Sequence, residues 1–147
     1  MPLTNRVICV VGPRRFQNEL IASFLERETG ETRPTYLPFI MKAVVAGLRK
    51  FPLLNAELDE QKQEIRLKKE YHIGVAIATE DGLVVPVVKD VDGKNIRELT
   101  RELTRLAELA RKAQLQLDDL QGGTFTITSL GALGGLMATP IINYPEV

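Results

Sequence analysis

Acid–base chemistry near neutral pH most often runs through an imidazole, and this chain has one, His72, at the head of the run HIGVAIAT. A mechanism needing two histidines, or a metal centre built from several, must take groups from another chain. A lone imidazole at a strand start more commonly has a packing role, so His72 is read as structural or surface. Cys9 is also single. It can close no intrachain disulfide and no cysteine-based zinc site, and no metal site is expected. Within the apolar run RVICVVG (residues 6–12) it reads as a small buried hydrophobe, with no evident base to make it a nucleophile. Such cysteine usage fits a reducing compartment, and the cytoplasm is the expected location. The turn Val11-Gly12-Pro13-Arg14-Arg15 couples a strand end to a helix start beside two arginines, a setting that can hold a phosphate. It contains neither GxGxxG nor a Walker lysine and is read as an ordinary connection. Gly131, Gly134 and Gly135 follow a strand as a flexible bend, so nucleotide binding there is not expected.

The elements that must position these groups follow from periodicity. Residues 6–12 form a short β-branched run ended by Gly12-Pro13, a buried strand entering a turn. Phe16, Leu20, Ile21, Phe24 and Leu25 then recur at helical spacing until Thr29-Gly30. Residues 36–51 are apolar on nearly every side, which predicts a largely buried helix with Pro38 in its first turn and Pro52 ending it. EIRLKKEY alternates as a half-solvated strand, and HIGVAIAT continues with two apolar faces as an interior strand. Glu80-Asp81-Gly82 turns the chain into LVVPVVKDV, where Pro86 requires an edge strand or a bulge, so the two runs predict a hairpin. Asn95 or Asp92 caps a helix whose stripe is Ile96, Leu99, Leu103, Leu106, Leu109 and Ala110. TFTITSL is a β-branched strand with alternating faces, in which Thr126 and Thr128 suit the strand itself.

Composition limits what such a fold can do. The chain has 147 residues, 44% hydrophobic and 26% charged, enough for one core. Its 19 basic and 19 acidic residues cancel, so no charge surplus draws it to nucleic acid or an anionic membrane, and neither partner is expected. No run approaches the roughly 20 apolar residues of a membrane span, and the first residues lack a signal-peptide cleavage pattern. LMATPIINYPEV stays apolar to Val147 without a polar tail, so the chain reads as cut at that end.

TYLPFIMKAVVAGLRKFPLLNAEL, YHIGVAIATEDGLVVPVVKDVDGKNIRELTRELTRLAELARK and GGTFTITSLGALGGLMATPIINYPEV together resemble the catalytic domain of dihydrolipoyl acyltransferases from 2-oxo acid dehydrogenase complexes. The resemblance covers roughly residues 35–147, with FPLLNA, GLVVPVVKD, GGTFTIT and INYPEV in the family's order. It implies an α/β chloramphenicol-acetyltransferase-like fold, a mixed sheet flanked by helices, assembled as trimers that stack into a larger core. It implies acyl transfer between dihydrolipoamide, carried on a lipoyl domain, and coenzyme A, with no covalently bound cofactor. The family's base is a histidine in a His-x-x-x-Asp-Gly motif beyond the segment similar to INYPEV, and no such motif occurs in these residues. Ser129 matches the position from which relatives direct a hydroxyl at the tetrahedral intermediate, so it is the candidate catalytic residue for oxyanion stabilisation. Its alternative reading is a strand-end serine satisfying a turn.

Residues 1–31 read differently, weakly resembling the opening strand and helix of a receiver-like regulator domain, with a seam near Glu31 to Pro34. The expectation is therefore a strand–helix unit over 1–31, merged into one domain with an acyltransferase-like region over 32–147, in a natural or engineered hybrid. Lacking the base, that chain is expected to be inactive by itself. The alternatives are a non-catalytic scaffold, self-associating through its apolar segment Leu136 to Val147, and a receiver-like interaction domain.

Overall fold

The structure is a computed structural model, and residues 8–9, 35–59, 62–80 and 82–128 are described. The anion-type turn, Ser129, the glycine bend and the segment 136–147 lie outside them. Among the described residues the first strand, β1 (Ile8–Cys9), is followed by helix α1 (Leu37–Lys50) and a 3-10 turn (Pro52–Asn55). A hairpin of β2 (Ala56–Asp59) and β3 (Glu64–Leu67) leads to β4 (Ile73–Val75), β5 (Ile77–Thr79), β6 (Gly82–Val84) and β7 (Val87–Val88). Helix α2 (Ile96–Arg111), the short α3 (Leu117–Leu120) and β8 (Phe125–Thr128) complete the order.

The central sheet runs β1-β8-β4-β7 and is mixed: β8 is parallel to both β1 and β4, while β7 is antiparallel to β4. Ile8 stands opposite Ile127 and Cys9 opposite Thr128, so the N-terminal strand pairs with the strand that leads to Ser129. Phe125 and Ile127 are buried while Thr126 and Thr128 are half-buried, the alternation a strand with one more protected face requires. They join Met41, Val44, Val45 and Leu48 of α1, Leu99 and Leu106 of α2, and Ile73, Val75, Val88 and Val91 in one core.

Helix α1 tolerates Pro38 because the first turn has no acceptor for its missing N–H, and Arg49 and Lys50 in the last turn complement the helix dipole. The expectation of nearly all-round burial is corrected. Pro38, Met41, Val44, Val45 and Leu48 are buried, whereas Phe39, Ala43 and Ala46 are exposed, because core neighbours meet only one face. Helix α2 begins as predicted at Asn95, whose side chain accepts from the Glu98 amide at 2.9 Å while Glu98 Oε2 accepts from the Asn95 amide at 2.7 Å.

The run HIGVAIAT is not one strand. It breaks at Ala76, whose amide donates to Ile127 O, and beyond it β5 leaves the central sheet to pair with β6 in a separate hairpin. Pro86 sits at the matching break between β6 and the edge strand β7, where its missing N–H leaves no ladder bond unmade. The predicted hairpin is present in the pairing of β5 with β6, but the two runs are split between two sheets. The half-solvated reading of EIRLKKEY is corrected as well: all four residues of β3 are exposed, including Ile65 at 51% and Leu67 at 54%. β2 and β3 pair only with each other, and of the apolar side they share Ala56 is buried whereas Leu58, Ile65 and Leu67 are exposed.

Candidate functional site

β8 ends at the residue before Ser129 in the sequence, and the strand's own position is fixed from three directions. β1 and β4 flank it, and Phe125 and Ile127 anchor it in the core. On β4, Gly74 pairs with Thr126, and neighbouring side chains crowd it: a Cβ built there would lie 2.8 Å from Thr126 Oγ1 and 3.0 Å from Val85 Cγ1. Only glycine fits without displacement.

His72 lies at the other end of this pair of strands. Ile73 is in register with Phe125, so His72 stands level with Thr124, four residues or about 13 Å of strand from Thr128. Its backbone is tied to Thr124: the His72 amide donates to Thr124 Oγ1 at 3.2 Å, and His72 O accepts from the Thr124 amide at 2.7 Å and from Thr124 Oγ1 at 3.2 Å. The imidazole is occupied too, since Nδ1 accepts the Asp90 amide at 3.0 Å. An imidazole spending that lone pair on a backbone N–H, at the end of β8 remote from Thr128, is placed to hold structure.

Two groups that shape this region carry weaker signals in the sequence. Lys42, the one cation inside the apolar stretch of α1, donates to Val91 O at 2.9 Å and Asp92 O at 3.0 Å, and Arg49 pairs with the Asp92 carboxylate at 2.9 Å. Together they pin the turn that precedes α2. A lysine set between the apolar residues of a helix was the available clue, since its ammonium must find acceptors. Asn55, 1% exposed, donates from Nδ2 to Lys68 O at 3.1 Å and Glu70 O at 3.0 Å, stapling the chain that crosses from β3 to β4, while its Oδ1 has no partner.

Electrostatic anchoring is concentrated on α2 and α3. Arg105 reaches Glu102 at 2.8 Å and Asp119 at 2.9 Å. Bonding to these carboxylates raises the guanidinium further, and the Arg105 hydrogen bond holds the Asp119 carboxyl below the usual aspartate range. Among the described residues no group of three His, Cys, Asp or Glu side chains could hold a metal ion, and no helix is long and apolar enough to cross a membrane.

Comparison with known proteins gives this arrangement its family. The family model for the 2-oxoacid dehydrogenases acyltransferase catalytic domain matches residues 14–147, beginning inside the segment 1–31 that the sequence sets apart. The chain is 51% identical over 122 residues to the dihydrolipoyllysine-residue acetyltransferase component of the pyruvate dehydrogenase complex of Cupriavidus necator, covering 83% of this chain and 22% of that protein. It is 49% identical over 120 residues to the succinyltransferase component of the 2-oxoglutarate dehydrogenase complex of Bacillus subtilis, covering 82% and 28%. The chain thus spans about a quarter of the length of these relatives. Among solved structures, the dihydrolipoamide acetyltransferase of Azotobacter vinelandii, in whose catalytic mechanism a serine, a histidine and an asparagine were investigated, superposes with a TM-score of 0.81 at 41% identity, over 89% of this chain and 56% of that one. The cubic core of a pyruvate dehydrogenase multienzyme complex superposes equally well, with a TM-score of 0.81 at 40% identity over the same shares. The mixed sheet flanked by helices is accordingly the chloramphenicol-acetyltransferase-like fold of these catalytic cores, and the chain belongs to the 2-oxoacid dehydrogenase acyltransferase family.

Proposed function

We propose that this chain provides the electrophile-stabilising part of a site for acyl transfer between dihydrolipoamide and coenzyme A. The observation behind this reading is the position of Ser129 directly after β8, a strand paired on both sides and anchored in the core. Acyl transfer between thiols passes through a tetrahedral intermediate with a negative oxygen. A hydroxyl donor held at that oxygen by a rigid element lowers the barrier without reorganising during the reaction. The other requirement is a base for the attacking thiol. His72 does not meet it: the ring lies at the far end of β8 and its Nδ1 is engaged by Asp90. No other histidine occurs in the 147 residues. This polypeptide by itself therefore does not turn over.

Two partners follow from the same reading. A lipoyl domain presents the dihydrolipoamide. A second copy of the chain is the other, meeting it at the apolar segment Leu136 to Val147; self-association is supported by the cubic core that a relative of 40% identity forms, and the segment by its apolar sequence.

The test measures acetyl transfer from acetyl-coenzyme A to dihydrolipoamide by the 147-residue chain and by the same chain extended with a family segment bearing the His-x-x-x-Asp-Gly motif. The expected result is background turnover for the first and measurable turnover for the second. Ser129→Ala in the extended chain is expected to lower kcat roughly 100-fold, the usual cost of one oxyanion donor. Robust turnover by the unextended chain, or full activity after Ser129→Ala, would overturn the assignment.

A further inference from the structure

The contacts of His72 carry a consequence separate from acyl transfer. The geometry points to a proton-operated latch: protonation of His72 at Nδ1 expels the Asp90 amide and replaces it with the Asp90 carboxylate, loosening the turn before α2 from the head of β4.

Nδ1 accepts the Asp90 N–H at 3.0 Å, so the ring proton of the neutral imidazole resides on Nε2. The imidazolium has a proton on both nitrogens. Its new N–H would point at the amide N–H that formerly donated to it, and two donors cannot share one contact. A substitute acceptor is already close, because Asp90 Oδ1 lies 3.7 Å from the same Nδ1. That carboxylate is 74% exposed and free to turn, whereas the imidazole is only 19% exposed.

Asp90 is also the residue of this turn set to move. It has φ 51°, the left-handed conformation that aspartate adopts more readily than most non-glycine residues. The next residue is fixed: Val91 is fully buried and its amide donates to Tyr71 O at 3.0 Å. Val91 and Asp92 are further tied to Lys42 and Arg49. Losing the amide bond at Asp90 therefore loosens the link between the edge strand β7 and this anchored stretch, leaving Asp90 tied through its carbonyl, which accepts the Gly93 amide at 3.2 Å.

The charges around the ring favour the exchange. On its own segment Glu70 is ionised, its carboxyl held below the usual range by the Glu70 and Lys69 amides and, to a lesser degree, by His72 itself. From beyond β7 come Asp90 and Lys89, and the Lys89 ammonium is engaged by Asp118 at 2.6 Å. The stretch before β8, residues 121–124, carries no charge.

The latch is tested by nuclear magnetic resonance on the 15N-labelled chain, taken from about pH 8 to about pH 5, the range over which histidines titrate. At the upper end the ring nitrogens should report the tautomer protonated on Nε2. On acidification the Asp90 amide should shift with the same midpoint as the ring, and its exchange protection, corrected for intrinsic rate, should fall about fivefold, as loss of one ordinary hydrogen bond predicts. The Val91 amide should keep its protection. His72→Phe should abolish the Asp90 transition. A ring protonated on Nδ1 at high pH, or an Asp90 amide that ignores the titration of the ring, overturns the latch in the unaltered chain, whatever the variant does.

Discussion

Replacing Gly74 with alanine tests whether the close approach of β4 to β8 governs the strand that leads to Ser129. The added Cβ would sit 2.8 Å from Thr126 Oγ1 and 3.0 Å from Val85 Cγ1, both inside normal contact distance. Gly74 is paired on two sides, with Thr126 of β8 and Val87 of β7, so its backbone cannot withdraw without breaking a ladder. Overpacking of this kind costs about 1–3 kcal/mol. Alanine returns about 0.4–1 kcal/mol by restricting the unfolded chain, because Gly74 does not adopt a positive φ that would forbid a side chain. The balance is a loss of roughly 1–2 kcal/mol, or a Tm lower by about 3–8 °C for a domain of this size. Urea unfolding followed by circular dichroism should show a lower midpoint at constant m. Thr126→Ala removes the oxygen at 2.8 Å, so it should cost less in the Gly74→Ala background than in the parent, a coupling a double-mutant cycle reads directly. A Gly74→Ala chain as stable as the parent, or strict additivity in the cycle, would refute the claim that this contact sets the spacing of the two strands.

Other perturbations probe the anchors around that sheet. Asn55→Ala leaves the Lys68 and Glu70 carbonyls without the Nδ2 donor and should cost about 1–3 kcal/mol in urea unfolding, whereas a change below about 0.5 kcal/mol would deny the staple its role. Asn95→Ala removes one half of the capping box on α2 and should cost about 0.5–2 kcal/mol, with Asn95→Gly losing only a few tenths. The Asp119 carboxyl is held below its usual value by Arg105, so its contribution is complete above about pH 4 and disappears as the pH falls through the lowered folded value. Arg105 is 47% exposed, and solvent screening limits the effect to about 1 kcal/mol or less. Arg105→Met should flatten that acid limb of the stability curve, measured by urea midpoints across the acid range, and an unchanged limb would remove Asp119 as its source.

Local grammar made much of this fold readable. Asn95 followed by Glu98 ahead of an apolar stripe is a helix start whatever surrounds it, because both partners lie within one turn. Glu80-Asp81-Gly82 between two β-branched runs is likewise a turn signal complete in itself. The break at Ala76 could not be read that way. HIGVAIAT is uniformly apolar, and only the bond from Ala76 to Ile127 O, made across to another strand, shows where it stops serving the central sheet. The exposure of Ile65 and Leu67 was equally hidden, since alternation marks an apolar side without saying whether anything covers it. The candidate Ser129 came from the resemblance of the run TFTITSLG, while Gly74 and Lys42 went unremarked because each acquires meaning only from a distant neighbour.

By itself the sequence determined the family, the kinds of elements and their order, and the supply of chemistry: one histidine, one cysteine and a serine at a strand end. These are properties of composition and near-neighbour pattern, fixed before the chain closes on itself. Tertiary structure alone decided which strands share a sheet, that Gly74 must be bare, and that the imidazole is committed to the Asp90 amide at the end of β8 away from Thr128. Those outcomes depend on pairing between residues tens of positions apart. Strand register and the strong directionality of hydrogen bonds set that pairing, and neither can be read from local pattern.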